Sequence, residues 1–239
     1  MTELIYYVDS YVKEFSAKVV SVDEQANAVL LDRTAFYPGG GGQPYDTGKL
    51  IAGDKSFIVK KTSRGNLHVI DGDLLPTVGT EIQGVIDWDR RYKLMRTHTA
   101  MHILCGVVWR DYGASVTGGN MEPLKGRMDF EFERMQKELV TEIESTINAE
   151  MKQGYEVVVN VLPRDEAFAI PDLIRTKINL LPEGIAEVRT IEIVGLDLQA
   201  DGGTHVANTR EVGQIRITDY KSKGGINKRL YVELTKGDE

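Results

Sequence analysis

The amino-acid sequence predicts an α+β fold, in which a small N-terminal β-barrel is followed by an α/β domain with a mostly antiparallel sheet and a histidine-bearing helix. Two observations support this prediction. Up to about residue 88, short apolar runs alternate with turn residues, which is typical of the closely spaced strands of a small barrel. After Asp89, apolar residues recur at helical spacing instead. We therefore expect two domains, residues 1–89 and 90–239.

Strands dominate the first domain. The segment AKVVSVDEQANAVLLDRT holds two apolar runs around a polar turn from Asp23 to Asn27. Further strands are expected in KSFIVKKT, NLHVI and TEIQGVID, because Gly, Asp or Pro bounds each of these segments.

The second domain is expected to begin with a helix from Arg90 to Asp111. An amphipathic helix is expected in MQKELVTEIESTINAEMKQGY, with Gly154 at its end. RDEAFAI is expected to form a short helical piece, and RMDFEFE, EVVVNVLP and three closing segments, EVRTIEIVG, VGQIRITDY and KRLYVEL, to form strands. The apolar face of the amphipathic helix is expected to consist of Met135, Leu139, Ile143, Ile147 and Met151.

Composition limits the class of partner. The chain of 239 residues has a formal net charge of −7, which argues against a broad nucleic-acid-binding surface and against DNA as a partner, although a local basic patch stays possible. A single cysteine, Cys105, excludes an internal disulfide, so a cytoplasmic location is expected. The apolar runs are too short to span a bilayer, and the N-terminus lacks the pattern of a signal peptide.

Two of the four histidines lie in the segment RTHTAMHIL. On a helix, His98 and His102 would lie one turn apart on one face, where they could share a metal ion, although such pairs also occur as ordinary buried or surface histidines. Thr99 stands where the glutamate of a zinc-protease HExxH motif would be. Cys105 is roughly 10 Å from His98 along a helix axis, so we expect it in the core.

A third histidine follows in ADGGTHV, residues 200–206. A loop histidine after a helical HxxxH pair is a usual way to complete a three-histidine site. Gly202 and Gly203 are expected to let the chain turn tightly around His205. Asp201 could have one of three roles. It could supply a ligand oxygen to the same ion, form a hydrogen bond with a ligand histidine, or be a turn residue. We expect it within reach of the metal without being a firm ligand.

Two other segments are rich in glycine. FYPGGGGQP, residues 36–44, lacks the Gly-Lys-Ser/Thr of a phosphate loop, so it is either a flexible hairpin end or a backbone that a ligand approaches closely. KSKGGINKR is either a solvated hairpin tip or a phosphate contact. The polar candidates in and beside these segments are Thr34, Gln43, Lys221, Lys223, Lys228 and Arg229.

RTHTAMHIL, DGGTHVANTREVGQIRI and LDRTAFYPGGGGQPYDTGKL together resemble the editing domain of alanyl-tRNA synthetase and its freestanding relatives, the medium-length AlaX alanyl-tRNA editing proteins. The resemblance runs from about residue 15 to 235. It implies a translation-protein-like barrel, then an editing domain that hydrolyses mischarged tRNA(Ala) in trans without ATP. The mischarged amino acid would be chiefly serine, with glycine as a second candidate.

The resemblance also implies roles for particular residues. Zn²⁺ ligands fall on His98, His102 and His205, while Asp201 replaces the cysteine that is common at its position and leaves the fourth ligand open. The catalytic candidates are Thr34, as a contact for the serine hydroxyl, Gln43 and Asp201. The substrate-binding candidates are Gly39, Gly40, Gly41, Gly42, Lys223 and Lys228.

We expect direct attack by water on the ester, because no Ser-His-Asp series is apparent in the sequence. Zinc could activate that water or fix the substrate, and the sequence does not decide between the two. The alternative from another functional class is a zinc-stabilised tRNA-binding module without catalysis.

Overall fold

The computed structural model describes residues 2–176, 181 and 184–235. It divides the chain into two compact units, Met1–Leu94 and Met95–Glu239. Three α-helices and mostly antiparallel strands lie within the described ranges, so the predicted α+β fold is confirmed. The functional domains expected at 1–89 and 90–239 stay a prediction.

The first unit contains a closed six-stranded barrel. Its strands are β2 (Glu14–Asp23), β3 (Ala28–Leu31), β5 (Gly48–Ala52), β6 (Lys55–Ser63), β7 (Leu67–Asp71) and β8 (Glu81–Ile86), in the order β2-β3-β7-β6-β5-β8. Two short strands, β1 (Glu3–Leu4) and β4 (Arg33–Thr34), pair in parallel beside the barrel strands. Phe15, Leu31, Leu50, Val59 and Ile70 belong to its apolar core.

Every barrel segment expected from the sequence forms a strand, which confirms that part of the prediction. β5 was not expected, because GKLIA follows directly on a glycine- and proline-rich loop and gives only three apolar residues. It nevertheless pairs with both β6 and β8 and closes the barrel. Non-local pairing therefore decides its conformation, as is usual for short strands.

The second unit holds two sheets and most of the helical residues. β9 (Val116–Glu122), β10 (Lys125–Glu131), β14 (Gln214–Ser222) and β15 (Asn227–Thr235) form a sheet in the order β14-β15-β10-β9. β11 (Val157–Pro163), β12 (Glu187–Ile193) and β13 (Asp197–Ala200) form the other. The helices are α1 (Trp88–Tyr112), α2 (Lys137–Gln153) and α3 (Arg164–Ala169).

All three closing segments expected from the sequence form strands, and they lie in two different sheets. β12 pairs with β11 and β13, whereas β14 and β15 belong to the other sheet. β9 and β13 were missed because VTGGNME contains two glycines and DLQA has one large apolar residue, so neither shows a clear alternation.

Helix α2 ends as expected, because Gly154 adopts a left-handed conformation with φ 75° and donates its N–H to the carbonyl of Met151. Its buried face differs from the prediction. Met135 precedes the helix and Leu139 is half-buried. Residues spaced strictly by four positions drift around a helix of 3.6 residues per turn. The buried apolar stripe therefore passes through Val140 and not through Leu139. The buried residues of α2 are Val140, Ile143, Ile147 and Met151.

Candidate metal centre and glycine-rich loop

Helix α1 carries the first histidine pair. His98 and His102 are buried, one turn apart, and their ring centroids are 5.1 Å apart. Cys105 is also buried, which confirms the expectation of a core residue. Burial raises the pKa of the Cys105 thiol far above its ordinary value, so this sulfur is not a thiolate ligand or nucleophile at neutral pH.

The loop after β13 brings the remaining groups to these histidines. The backbone of Asp201 is held by Arg189, whose carbonyl accepts the Asp201 N–H at 3.1 Å and whose guanidinium donates to the Asp201 carbonyl at 2.9 Å. Neither Gly202 nor Gly203 has a positive φ, which corrects the expectation that their flexibility makes the turn. The Asp201 carboxylate makes it instead, since Oδ2 accepts the N–H of Gly203 at 2.6 Å.

Three imidazole nitrogens converge on one carboxylate oxygen. The Nε2 atoms of His98, His102 and His205 lie 3.1, 3.7 and 3.7 Å from Oδ1 of Asp201. The four candidate ligand atoms all lie within 4.8 Å of one another. In a tetrahedral zinc site with bonds of about 2.0–2.1 Å, neighbouring ligand atoms are about 3.4 Å apart. The predicted meeting of the three histidines is therefore confirmed, and the donor set fits one divalent ion.

The charges of these groups suit metal binding. Burial alone would raise the pKa of Asp201, but the charge of His98 and hydrogen bonds from His102 and His205 hold it well below its usual range. Burial, together with the nearby charge of His98, keeps the pKa of His205 well below its ordinary value. Burial also opposes protonation of His102, but hydrogen bonds with Asp197 and Asp201 raise its pKa to about 9. An anionic Asp201 and a neutral His205 are the forms that bind metal, whereas His102 must release a proton when the ion binds.

The outward nitrogens of two histidines also lie close to oxygen atoms of other side chains. Nδ1 of His102 lies 3.3 Å from Oδ2 of Asp197, and Nδ1 of His205 lies 3.2 Å from Oγ1 of Thr99. The same Thr99 hydroxyl accepts the N–H of Val206 at 3.2 Å. Sequence reasoning noted Thr99 only as the residue replacing a glutamate, and it missed Asp197 because β13 was not expected.

The glycine-rich segment of the first unit is a hairpin-like loop. At its base, the N–H of Asp46 donates to the carbonyl of Tyr37 at 2.9 Å. At its tip, Gly40 and Gln43 exchange two backbone hydrogen bonds, and the intervening Gly41 and Gly42 have φ of 55° and 88°. Two consecutive positive φ angles are characteristic of a type I′ turn, so glycine is required here for conformation.

A buried ion pair holds the base of this loop. The guanidinium of Arg91 donates to both carboxylate oxygens of Asp46, with Nε 3.1 and 3.0 Å away. It also donates to the carbonyl of Ala35 at 2.5 Å and to that of Ser10 at 3.0 Å. The Asp46 carboxylate accepts the N–H of Tyr37 at 2.6 Å. Sequence reasoning missed this pair because nothing in the segment DWDRR distinguishes Arg91 from its neighbour.

Thr34 precedes the loop and is fully buried. Its Oγ1 lies 2.8 Å from Nε2 of His68 and accepts the N–H of Phe36 at 3.1 Å. Nδ1 of His68 lies 3.3 Å from the carbonyl of Val29, which only accepts, so Nδ1 carries the proton and Thr34 donates to Nε2. Burial lowers the pKa of His68 to about 4, which keeps this ring neutral. Gln43, the other polar candidate in this segment, is also buried.

The β14–β15 turn carries the basic candidates. The ammonium of Lys228 is largely buried and donates to the carbonyls of Gly224 and Gly225. Arg229 pairs with Asp129 through contacts of 2.6 and 2.7 Å. This geometry gives Lys228 a role in stabilising the turn, whereas Lys223 is exposed. A phosphate contact through these lysines stays a prediction.

This chain is similar to known proteins over nearly its whole length. Residues 4–90 match the family described as tRNA synthetases class II (A), and residues 188–231 match the Threonyl and Alanyl tRNA synthetase second additional domain. The alanyl-tRNA editing protein AlaX-M of Saccharolobus solfataricus is 42% identical over 97% of this chain and 98% of its own length. The chain belongs to the AlaX-M family. The AlaX-M protein of Methanosarcina mazei is 37% identical over 98% of this chain.

The AlaX-M family is related to a much longer class of enzyme. The alanine–tRNA ligase of Ignicoccus hospitalis is 38% identical over 90% of this chain, but the match spans only 24% of that ligase. The glycine-rich loop lies within the first family match, and His205 lies within the second. No helix in the described part of this AlaX-M family member is long and apolar enough to cross a membrane.

Proposed function

We propose that this protein hydrolyses the ester of mischarged tRNA(Ala) in trans, chiefly Ser-tRNA(Ala) and secondarily Gly-tRNA(Ala), in the cytoplasm. The observation that carries the proposal is the convergence of three histidine nitrogens on the carboxylate of Asp201. It occurs in a chain that matches an alanyl-tRNA editing protein over nearly its full length. An aminoacyl ester is already activated, so its hydrolysis needs no ATP.

We propose Zn²⁺ as the ion, held by His98, His102 and His205. Three imidazoles and a carboxylate are donors that zinc accepts in tetrahedral geometry. The distances from Oδ1 to the three nitrogens favour Asp201 as the fourth ligand, which differs from the expectation that it is within reach without being a firm ligand. When bound, zinc would supply Lewis-acid chemistry for ester hydrolysis.

The protein's own groups favour attack by water. The Cys105 thiol is buried and protonated, so it offers no nucleophile for a covalent intermediate. The pKa of Asp201 lies well below its usual range, so a carboxylate that leaves the ion would stay ionised and could accept a hydrogen bond from an attacking water.

Recognition of the serine hydroxyl by Thr34 is a further part of the proposal. Because Thr34 already donates its proton to His68 and accepts from Phe36, it has one remaining lone pair and would act as an acceptor. The serine hydroxyl can donate to it, whereas alanine has no such group. Since Thr34 is fully buried, the substrate reaches it only if neighbouring groups move. Gln43 and residues Gly39 to Gly42 are proposed as further substrate contacts.

One observation favours the non-catalytic alternative. A site with four protein ligands is typical of structural zinc, whereas catalytic zinc usually keeps a position open. If Asp201 stays bound throughout, the ion would only stabilise a tRNA-binding module. For hydrolysis to occur, Asp201 would have to leave the ion, or the coordination number of the ion would have to increase.

A deacylation assay decides between the two functions. We expect purified protein to hydrolyse Ser-tRNA(Ala) faster than Gly-tRNA(Ala) and to spare Ala-tRNA(Ala). Removal of the metal with a chelator should abolish activity, and added Zn²⁺ should restore it. His98→Ala serves as the site variant, and Lys223→Ala as a variant that tests tRNA affinity without touching the cluster. Binding of tRNA(Ala) without hydrolysis of any of the three esters would support the module instead.

A further inference from the structure

We infer that Asp197 is a positioning residue for the proposed metal site, which orients His102 so that Nε2, the nitrogen that would bind the ion, faces Asp201. The inference rests on the proposed metal site, because it assigns a purpose to the orientation of His102. It adds a residue that sequence reasoning did not identify.

The contact itself defines the tautomer of His102. The side chain of Asp197 is fully buried, and its Oδ2 lies 3.3 Å from Nδ1 of His102. The pair lacks the alignment of a hydrogen bond, but a carboxylate this close stabilises a proton on the nitrogen that it faces, so the contact favours a proton on Nδ1. In the neutral ring the lone pair is then on Nε2, the nitrogen that lies 3.7 Å from the carboxylate of Asp201. This is the carboxylate–histidine arrangement by which proteins orient a metal ligand.

The backbone brings Asp197 to this position. Asp197 is paired with Ile193 at the start of β13, and the N–H of Leu196 donates to the carbonyl of Ile193 at 2.8 Å. Gly106, one helical turn after His102, permits the approach. A Cβ atom at this glycine would lie only 2.9 Å from Cβ of Asp197 and 3.1 Å from the carbonyl of Leu196. A larger residue at 106 would therefore force Asp197 away from the helix.

The remaining contacts of Asp197 are consistent with a held carboxylate. Oδ2 of Asp197 also accepts a hydrogen bond from Nε2 of Gln199 at 2.6 Å. Nε of Arg175 lies 3.7 Å from Oδ1 of Asp197. The guanidinium of Arg175 in turn lies over the ring of Trp109 at 4.8 Å. The competing explanation is that Asp197 serves only to neutralise Arg175, in which case His102 would not depend on it.

Zinc affinity separates these explanations. We would titrate Zn²⁺ against a chromophoric chelator with the wild-type protein, Asp197→Ala and Asp197→Asn. We expect Asp197→Ala to weaken zinc binding roughly 10–100-fold, as for other residues that orient a metal ligand. Asp197→Asn keeps an acceptor for Nδ1 and should retain more affinity. Asp54→Asn, at an exposed carboxylate in the first unit, is the control and should leave affinity unchanged.

Wild-type affinity in a folded Asp197→Ala protein would overturn the inference while leaving the metal site intact. If the wild-type protein binds no Zn²⁺, the proposed metal and this inference fail together. A test that needs no variant is nitrogen NMR of His102 in the zinc-loaded protein. Zinc on Nε2 by itself leaves the proton on Nδ1, so the readout is the chemical shift of that proton. A downfield shift of the kind that a hydrogen bond to a carboxylate gives supports the inference, and a shift typical of a water-exposed ring N–H overturns it.

Discussion

Asp201 combines two functions that the sequence could not separate. One carboxylate oxygen accepts the N–H of Gly203 and shapes the turn, while the other faces the three histidines. The short side chain of aspartate makes both contacts possible at once. Its position next to the end of β13 is therefore what places an anion beside His98.

Replacing Asp201 tests whether it is a ligand. We expect Asp201→Ala to lower zinc affinity at least roughly tenfold, because one of four donors is lost and the turn loses its acceptor. Asp201→Cys should restore much of the affinity, since a thiolate is a good zinc ligand. Equilibrium titration measures both, with a circular dichroism spectrum as the control for folding. Full zinc affinity in Asp201→Ala would exclude a ligand role.

Thr34 is fully buried in the structure, whereas the resemblance implies that it contacts the substrate. If it reads the serine hydroxyl, Thr34→Val should lower the ratio of Ser-tRNA(Ala) to Ala-tRNA(Ala) hydrolysis at least roughly tenfold, about 1.4 kcal/mol. The change also leaves Nε2 of His68 and the N–H of Phe36 without their partner, so stability should fall as well. Thr62→Val, at another buried threonine of the same barrel, is the matched control. An unchanged ratio would assign the Thr34–His68 pair to the barrel core.

His68 predicts a pH dependence of stability. Burial lowers its pKa in the folded protein to about 4, from an ordinary value of 6.5. As pH falls through 6.5, His68 becomes protonated in the unfolded chain but stays neutral in the folded chain. The free energy of unfolding therefore falls until about pH 4. Above pH 6.5 both states are neutral and this effect vanishes. The full difference amounts to about 3 kcal/mol.

Denaturant unfolding of wild-type protein and His68→Gln at several pH values isolates this effect. Other titrating groups contribute to both proteins and cancel in the difference. We expect the wild type to lose more stability than the variant between pH 7 and pH 4. Parallel curves would mean that His68 is protonated in the folded state or is not buried.

At the scale of elements, the glycine-rich loop owes its shape to a buried ion pair rather than to its own residues. Arg91 lies on α1, and its guanidinium holds Asp46 and the carbonyl of Ala35 at the two ends of the loop. The glycines permit the tip conformation without enforcing it. The loop is consequently expected to be sensitive to substitutions at its base.

Double-mutant analysis measures this dependence. Removing one member of a buried ion pair costs about 3–5 kcal/mol because the other charge is left unpaired. We expect Arg91→Met and Asp46→Leu each to destabilise the protein strongly, and the double variant to be less destabilised than the sum of the two. Chemical denaturation of the four proteins gives the coupling. Additive effects would contradict a direct interaction.

At the scale of the whole molecule, the sequence predicted the fold class, five of the six barrel strands and the residues of the cluster. These features have local signals: period-two runs in the barrel, and two histidines one helical turn apart on α1. It did not predict β13, Asp197 or the Arg91–Asp46 pair, because each depends on contacts between segments far apart in the chain. The burial of Val140 in place of Leu139 on α2 has a local cause instead, because residues spaced by four drift around a helix of 3.6 residues per turn.

Metal binding should stabilise the protein as a whole. A ligand that binds only the folded state contributes about 2.7 kcal/mol at one hundred times its dissociation constant. We expect the melting temperature to rise with added Zn²⁺ and to fall with chelator. His205→Ala should abolish this dependence, whereas Lys223→Ala should keep it. A melting temperature that does not change with added Zn²⁺ would show that the cluster does not bind the ion.

The cluster joins α1 to a loop about one hundred residues later, as the Thr99–His205 contact across 106 positions illustrates. An ion bound there acts as a reversible cross-link that closes a very long loop, the kind of closure from which the most stabilisation is expected. Without the ion, we expect the described residues between Cys105 and Ala200 to unfold locally and to be cleaved more easily, because that cross-link is absent. With zinc bound as proposed, the lifetime of the protein in the cell would follow zinc supply, so metal starvation would lower the amount of protein as well as its activity.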